Sequence, residues 1–341
     1  MSKILVVGGS GYIGSVLVPV LARKHEVSVV DAGWFGYHLS ESIPRIHKNL
    51  PNLEEADLAP FDQVIFLAGL SNDPMAEFSP LRNFIENAAY PTHLAYTCKK
   101  AGVKRFIYAS TTSVYGRTSG EPQTEDMPAV SDYPYGMAKL QGERGCMALA
   151  DSSFSVIALR KGTVGGYSPR MRLDLVTNVM FMKGLRDKKI TVGNPNTFRP
   201  TLDVRDAARA YEHAVNAKPI DLSGVFNITG ENQTLLDLAE TIRGSIKDWL
   251  KIDVSLDIQD NFEPRNYRMN TSKARDVLGF EPMYDTRDTV FNLIQNRFAF
   301  KDFENPMYYN IIRFKELGLE VYKEPTSTAQ TAVETPMEVH L

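Results

Sequence analysis

The sequence has few cysteines, no long apolar run and no block of basic residues. Cys98 and Cys146 are the only cysteines among 341 residues. They are too few for a disulfide framework, and their spacing matches no metal-ligand motif. We therefore expect both to be reduced packing residues, and we predict no metal site. The apolar runs are too short to cross a bilayer. A formal net charge of -3 without a basic cluster argues against binding to nucleic acid.

The amino terminus lacks the parts of a signal peptide. "MSKILVVGG" enters an apolar, strand-like run almost at once, without a charged region, a long apolar region or a small-residue cleavage site. We therefore expect a cytoplasmic protein with no membrane partner. Hydrophobic residues make up 43% of the chain, which is typical of a globular protein with one large or two modest domains.

Short apolar runs alternate with longer helix-like segments through the first half of the chain. The runs are rich in Val and Ile and read "KILVVG", "EVSVVD", "DQVIFLAG", "VKRFIYAS" and "FSVIALR". Strands that are apolar on both faces and separated by helix-length stretches are typical of a parallel sheet covered on both sides. The pattern predicts an α/β fold with a doubly wound parallel sheet.

A glycine motif, "VVGGSGYIGSVL", joins the first apolar run to an amphipathic segment. Gly8, Gly11 and Gly14 are spaced to turn the chain tightly and to admit a diphosphate against the backbone at a helix amino terminus. The next run ends in Asp31, seventeen residues after Gly14. A carboxylate there accepts hydrogen bonds from an adenosine ribose and repels a 2′-phosphate. The motif predicts a Rossmann-type site that prefers NAD to NADP; the alternative is a structural turn followed by a surface Asp.

The regular alternation loosens beyond about residue 165, which indicates a second, smaller lobe. We expect residues 1–165 to form the dinucleotide-binding Rossmann domain, with residues 198–230 returning to it. Residues 166–320 would form mainly a C-terminal substrate-binding lobe. Residues 323–341 are polar and contain two prolines, so we expect a flexible tail.

One helix of the second lobe can be predicted from its start signal. In "NQTLLDLAETIRGSI", Thr234 can form a capping box with Asp237 three residues later. Four apolar residues recur at helical spacing, namely Leu235, Leu238, Ile242 and Ile246. We expect this face to pack in the core of the lobe.

A tyrosine and a lysine lie four positions apart in "YPYGMAK". On a helix, Tyr135 and Lys139 would share a face. An ammonium near the phenol would lower its pKa from about 10 toward the working pH, where it could exchange a proton with a hydroxyl. The alternative is an ordinary helix contact. Upstream, "STTSVYG" supplies hydroxyls at the carboxyl end of a parallel strand, where ligands of open α/β sheets bind. This context favours a hydride-transfer site.

These motifs, in this order, resemble those of the extended short-chain dehydrogenases/reductases, many of which act on nucleotide sugars. The resemblance rests on "GGSGYIG", Asp31, "FLAG", Asn87, "STTSVYG", "PYGMAK", "FRPTLDVRDAARA" and "NYRMNTSKARDVLGFEP", which extend from residue 8 to about residue 282. It implies NAD as the cofactor, a nucleoside-diphosphate sugar as the substrate and assembly as a homodimer.

The resemblance also implies roles for individual residues. Tyr135 would be the acid/base, Lys139 its electrostatic partner and a ligand of the nicotinamide ribose, and Thr111 a hydroxyl at the same site. Besides Tyr135 and Lys139, the implied cofactor-binding positions are Gly8, Gly11, Tyr12, Ile13, Gly14, Asp31, Asp57, Leu58, Ala68, Gly69 and Asn87. The implied substrate-binding positions are Thr112, Ser113, Asn178, Arg199 and Arg265. The alternatives for the last three are a helix-capping Asn and solvated arginines.

Two positions in "STTSVYG" restrict the reaction. Family members that eliminate water from a hexose typically carry Asp-Glu where this chain has Thr112 and Ser113, and decarboxylases usually keep a glutamate at the second position. A hydroxyl does no strong acid/base work near pH 7. We therefore expect an NAD-dependent nucleotide-sugar epimerase that acts through a transient keto sugar. A nucleotide-sugar ketoreductase or dehydrogenase is the alternative. The complete set of Tyr135, Lys139 and Thr111 argues against a non-catalytic nucleotide-binding protein.

Two loops leave alternatives open. Ser71–Asp73 follows the third main strand, and it would either edge the cleft or form a turn that starts the next helix. The loop "RKGTVGGYSPRMRLDL" would either meet an anionic substrate or be solvated. Its basic residues are Arg160, Lys161, Arg170 and Arg172.

The position of Asp31 predicts a preference for NAD over NADP. We expect Asp31→Ala to narrow this preference, because the substitution removes both the ribose hydrogen bonds and the repulsion of a 2′-phosphate. Binding titrations with NAD and with NADP measure the difference in affinity. Equal or tighter binding of NADP by the unaltered protein would contradict the assignment.

Overall fold

A six-stranded parallel sheet lies at the centre of the protein. The computed structural model describes residues 1–118, 120–259 and 266–321; Arg265 and the predicted tail 323–341 lie outside these described residues. In chain order, the strands are Lys3–Val7 (β1), Glu26–Val30 (β2), Gln63–Phe66 (β3), Arg105–Thr111 (β4), Pro122–Gln123 (β5), Ser155–Lys161 (β6), Thr163–Gly165 (β7), Lys189–Gly193 (β8), Phe198–Asp203 (β9), Gly224–Ile228 (β10), Glu231–Thr234 (β11), Ser255–Gln259 (β12) and Arg268–Met269 (β13).

Most helices connect successive strands, as a parallel sheet requires. In chain order, they are Gly14–Leu21 (α1), Glu55–Leu58 (α2), Asp73–Phe78 (α3), Pro80–Phe84 (α4), Tyr90–Lys100 (α5), Pro134–Met147 (α6), Val176–Arg186 (α7), Val204–Asn216 (α8), Leu235–Leu250 (α9), Ser272–Leu278 (α10), Thr286–Asn296 (α11) and Asn310–Glu316 (α12). A π-helical turn, Ile85–Ala89, joins α4 to α5. Within the described ranges, no helix combines the length and hydrophobicity needed to cross a membrane.

The strand order defines where a ligand can bind. The order is β2-β1-β3-β4-β6-β10, and every neighbouring pair is parallel. Beyond β2, an isolated parallel bridge joins Val29 to Arg45. The chain forms β2 on one side of β1 and then β3 on the other, so a crevice opens at the carboxyl ends of β1 and β3. This order confirms the predicted doubly wound, Rossmann-type sheet.

Helices cover both faces of the main sheet. On one face, α1 and α8 pack together over a core that includes Leu17, Tyr211 and Phe226. On the other face, α5 and α6 cover a second core that contains Cys98 and Cys146. Both cysteines are free and buried, as expected of packing residues. Burial on both faces explains why the strands carry apolar residues on both faces.

A second group of elements follows β6. It contains the small sheet β7-β9-β11, the pair β8-β12 and the helices α7, α9 and α11, which enclose a separate apolar core around Phe181 and Phe300. At the start of α9, Thr234 and Asp237 form the predicted capping box. The four apolar residues of its predicted face are buried. Between these elements in the chain, α8 packs against the main sheet and β10 pairs with β6.

A buried arginine holds α8 against the sheet. Arg105 begins β4 and is fully buried, and its guanidinium donates to the carbonyls of Ala214, Ala217 and Pro219 at 3.0, 3.0 and 2.9 Å. Carbonyls at a helix carboxyl terminus have no partner within the helix and carry partial negative charge. Burial lowers the pKa of Arg105 to about 10, which leaves it charged at neutral pH. One side chain thus satisfies the end of α8 and the chain that follows.

We expect Arg105→Met to lower the free energy of unfolding by about 3–5 kcal/mol, because it leaves several buried carbonyls without a hydrogen-bond donor. The neighbouring exposed Lys104 provides the control, and Lys104→Met should change stability by less than about 0.5 kcal/mol. Urea unfolding at neutral pH measures both values. Equal stabilities of the two variants would show that Arg105 does not hold α8.

Candidate active site

One cavity occupies the crevice at the carboxyl ends of the main strands. Its volume is about 510 Å³, within the range of about 300–1,000 Å³ that is usual for small-molecule sites. Many of the residues singled out from the sequence line it, namely Gly8, Gly11, Tyr12, Ile13, Gly14, Asp31, Ala68, Gly69, Thr111, Thr112, Ser113, Tyr135, Lys139 and Arg199. The fold therefore brings the dinucleotide motif and the tyrosine motif to the same cavity.

The glycine turn forms the part of the wall between β1 and α1. Gly8 has a φ of +81°, and a Cβ there would lie 2.7 Å from the backbone nitrogen of Ala68. A Cβ on Gly14, where α1 begins, would lie 2.4 Å from the carbonyl oxygen of Gly9. At Gly11 a Cβ would meet one protein atom, the Gly8 oxygen at 3.1 Å. The backbone at Gly11 is thus open to a ligand, as a diphosphate site requires.

Asp31 and the glycine turn are joined by hydrogen bonds. Asp31 follows β2, and its Oδ2 accepts from the Ser10 N–H at 2.9 Å while its Oδ1 accepts from the Gly33 N–H at 2.9 Å. Burial raises the pKa of Asp31, while these two N–H groups and the charge of Arg170 oppose the rise. The carboxylate is therefore held in one orientation on the cavity wall. These groups fit the diphosphate and the adenosine ribose of a dinucleotide.

Tyr135 lies in the first turn of α6, facing the end of β4. Burial raises its pKa above the ordinary 10.0, and the charge of Asp73 adds to the rise. Hydrogen bonds with the Thr111 side chain and the Asn72 backbone, and the charge of Arg172, oppose it. This direction is opposite to the lowering by Lys139 that the sequence suggested, because exclusion of water outweighs the charge of Arg172 and the two hydrogen bonds. The phenol is protonated at neutral pH.

Lys139 lies one turn further along α6 and is buried. Its Nζ donates to the carbonyl oxygen of Ala109 at 3.1 Å and lies 5.2 Å from the centre of the Tyr108 ring. Burial lowers the pKa of Lys139 to about 7. Its charge is therefore sensitive to any anion that enters the cavity.

Thr111, Thr112 and Ser113 form the end of β4 and the turn that follows. The Oγ1 of Thr111 accepts from the Ser113 N–H at 3.2 Å and lies 3.3 Å from the Ser113 hydroxyl oxygen. Thr111 pairs in register with Lys161 at the end of β6. All three residues line the cavity at the edge of the sheet.

The loop Ser71–Asp73 both starts the next helix and edges the cavity, as the two interpretations of the sequence proposed. Asn72 caps α3 because its Oδ1 accepts from the Met75 N–H at 3.1 Å. Its φ of +80° is unusual for a residue other than glycine and is typical of constrained functional loops. All three residues also line the cavity. The charge of Asp73 acts on Tyr135, and no local signal in the sequence indicates that the two residues are close.

The loop before α7 brings two arginines to the cavity. Arg170 and Arg172 line it and are only 3% and 5% exposed, so the solvated alternative is wrong for both. Arg172 pairs with Asp174 at 2.7 Å and also hydrogen bonds to the Ser71 hydroxyl. Arg170 lies 3.7 Å above the ring of Phe35. The sequence marked these arginines, but it did not distinguish a buried loop from an exposed one.

The other two basic residues of that segment have different surroundings. Arg160 is buried against Glu143, with an N–O distance of 2.6 Å, and belongs to the interior of the sheet. Lys161 lines the cavity, and its Nζ donates to the carbonyl of Ser110 at 3.0 Å and to the Tyr211 hydroxyl at 2.8 Å. Burial lowers the pKa of Lys161 well below its ordinary value.

Two positions expected beside the adenine do not line the cavity. Leu58 is fully buried in the core under α5. Asp57 caps α2 and pairs with the Nζ of Lys48 at 2.8 Å. That end of the cavity is lined instead by the segment 48–51. Of the Asp57–Lys48 pair, only Lys48 lines the cavity, and the contacts of Asp57 and Leu58 with the adenine stay predictions.

Asn87 and Asn178 hold the cavity wall rather than line it. Asn87 is fully buried, and its Nδ2 donates to the Leu70 carbonyl at 2.8 Å. Asn178 accepts from the Gly166 N–H at 2.9 Å and donates to the Arg172 carbonyl at 2.7 Å. Neither side chain lines the cavity, and the direct contacts with cofactor or substrate that the resemblance implied for them stay predictions. Arg265 lies outside the described residues.

Residues 4–229 match the sequence profile of the "NAD dependent epimerase/dehydratase family". The chain belongs to this family. The match confirms the resemblance inferred from the motifs, and NAD is the cofactor of the family. The chain is therefore an enzyme of this NAD-dependent group.

Relatives within the family are nucleotide-sugar enzymes. The chain is 29% identical over 319 residues to an uncharacterized UDP-glucose epimerase, YtcB, of Bacillus subtilis (strain 168), covering 86% of this chain and 96% of the relative. It is 29% identical over 303 residues to UDP-glucuronic acid decarboxylase 6 of Arabidopsis thaliana, covering 84% and 86%. The structure of MoeE5 in complex with UDP-glucose and NAD superimposes with a TM-score of 0.77 at 26% identity, covering 87% and 99%.

The low pKa of Lys139 predicts a pH dependence of stability. In the unfolded chain its pKa is near the ordinary 10.5, and in the folded protein it is about 7. Between these values the unfolded chain binds the additional proton, so Lys139 makes the free energy of unfolding rise with pH and weakens folding most below about pH 7. We expect protein freed of nucleotide to gain stability from about pH 7 to 9, and Lys139→Met to gain less.

Urea unfolding at the two pH values measures the difference, with Lys104→Met as the exposed control. The control should keep the pH dependence of the unaltered protein. An unchanged dependence in Lys139→Met would show that Lys139 is charged in the folded state.

Proposed function

We propose that the protein is an NAD-dependent epimerase of a nucleoside-diphosphate sugar, which acts through a transient keto sugar with Tyr135 as the acid/base. One observation carries the proposal: Tyr135, Thr111 and Lys139 share a cavity with the glycine turn and Asp31. A site of this composition can hold a dinucleotide and move a proton at a neighbouring hydroxyl. The relatives named as UDP-glucose epimerases support the choice of reaction.

The cofactor-binding residues follow from the cavity wall. The glycine turn would hold the diphosphate of NAD, Asp31 the adenosine ribose, and Lys139 the nicotinamide ribose. Ala68 and Gly69, at the end of β3, would line the same path. Bound NAD would supply a reversible hydride acceptor, and residues of this chain would move the proton.

Tyr135 would take the proton of the sugar hydroxyl as the keto sugar forms and would give it back to the same oxygen when the hydride returns. The raised pKa of Tyr135 favours the second transfer, in which the phenol acts as the acid on the keto sugar. Its hydrogen bond with Thr111 orients the phenol. When a phenolate forms, the charge of Arg172 and the Asn72 N–H stabilise it. Epimerisation needs both directions of transfer at one oxygen, and this arrangement serves both.

The substrate would lie between the sheet edge and the second lobe. Thr112 and Ser113 would contact the sugar, and Arg199, which lines the cavity 5.5 Å from the centre of the Tyr267 ring, would bind the diphosphate. Asn178 would act indirectly, by holding Tyr12 and the Arg172 loop. The homodimer and the cytoplasmic location stay predictions.

A ketoreductase or dehydrogenase would use the same residues, and it is the alternative. The two reactions differ in the fate of the cofactor, because an epimerase regains its NAD within each turnover whereas a reductase must exchange it. Interconversion of two epimers by purified protein, without a change in the nicotinamide absorbance, supports the epimerase. Stoichiometric consumption of added NADH supports the reductase.

Tyr135→Phe tests the catalytic assignment. The variant keeps the ring and loses the acid/base group, so we expect turnover to fall by roughly 10²-fold or more while NAD still binds. Tyr96→Phe, on the exposed side of α5, should keep the unaltered rate. Turnover on the sugar nucleotide and titration with NAD are the two measurements. A near-normal rate in Tyr135→Phe would refute the proposed mechanism.

A further inference from the structure

The segment 310–321 returns from the second lobe to the first domain at the edge of the cavity. It lies beyond residue 229, where the family match ends. Asn310, at the start of α12, lines the cavity. A separate apolar cluster joins this segment to the first domain; its members are Leu70, Met75 and Phe314, with Trp34, Phe35, Phe78, Ile311 and Leu319 packed against them.

Two residues of α12 contact the loop that follows Asp31. The Phe314 ring lies 5.1 Å from Trp34, edge to face, and 6.1 Å from Phe35, stacked. The Nε of Arg313 donates to the Trp34 carbonyl at 2.8 Å. Trp34 and Phe35 line the cavity. The helix therefore holds the wall beside the carboxylate that we assign to the adenosine ribose.

Further contacts hold both ends of the segment 310–321 in place. Arg170 stacks on Phe35, and its Nη2 donates to the Oδ1 of Asn310 at 2.6 Å, while its charge acts on Asp31. At the other end of the segment, the Ser79 hydroxyl donates to the carbonyl of Glu320 at 2.9 Å. The segment is thus attached to the second lobe near Arg170 and to the first domain at Trp34, Phe35 and Ser79.

We propose that α12 is a strap that retains the cofactor, in which Arg313 and Phe314 are positioning residues for the Trp34–Phe35 loop. While the strap is closed, this loop and Asp31 enclose the adenosine half of the dinucleotide. Release then requires Phe314, only 3% exposed, to leave its aromatic contacts and enter water. The inference rests on the proposed function, because an epimerase keeps its NAD between turnovers.

The test compares the release of NAD from two variants of α12. Phe314→Ala removes the buried ring, whereas Ile312→Ala alters a residue of the same helix that is 46% exposed. Full-length protein is loaded with NAD, freed of excess nucleotide and diluted without sugar, and the NAD that remains bound is quantified by mass after denaturation. We expect release from Phe314→Ala to be about tenfold faster or more, which corresponds to about 1.4 kcal/mol. Release from Ile312→Ala should be unchanged.

Arg313→Ala provides a second variant. The Arg313 side chain is 26% exposed, so its removal leaves little cavity in the core. It should also release NAD faster, and saturating NAD should restore its turnover. Unchanged release in folded Arg313→Ala and Phe314→Ala, or equal acceleration in Ile312→Ala, would overturn the strap. Because release is measured without sugar, faster release from a protein that epimerises nothing would support the strap and count against the proposed function.

Discussion

The site depends on the close approach of two backbones at Gly8. A Cβ there would lie 2.7 Å from the nitrogen of Ala68, and the φ of +81° disfavours any side chain. The chain after β1 can therefore touch the end of β3, and the turn is fixed between them. Ser10, in the same turn, then donates to Asp31. A single steric constraint thus sets the relative positions of the glycine turn, the end of β3 and the carboxylate after β2.

Features encoded in a short stretch of chain could be predicted from the sequence. The apolar runs predicted the strands, the glycine spacing predicted the turn, and Thr234 with Asp237 predicted the start of α9. The spacing of Tyr135 and Lys139 placed both on α6. Each of these depends on backbone geometry within a few residues, which the local sequence determines.

Side-chain direction and long-range contact could not be predicted in the same way. The family pattern marked Leu58 and Asn178 as ligand contacts, but Leu58 packs in a core and Asn178 hydrogen bonds to the Gly166 N–H. Whether a side chain enters a core or a cavity depends on the elements that pack over it. The wall of the cavity also includes partners far apart in the chain. Arg170 and Asn310 are separated by 140 positions, and Trp34 and Arg313 by 279. No local signal in a single sequence connects such residues.

The positive charges of the cavity link ligand binding to catalysis. Burial lowers the pKa of Lys139 to about 7 and that of Arg170 to about 9. Desolvation therefore disfavours the charged forms of both residues, which line the cavity. A dinucleotide and a sugar nucleotide each bring a diphosphate, and nearby negative charge favours the protonated form of a lysine. Binding should therefore return Lys139 toward its ammonium form. Arg172, which lines the same cavity, already lowers the cost of forming the Tyr135 phenolate, so positive charge that attracts the ligands also favours the proton transfer.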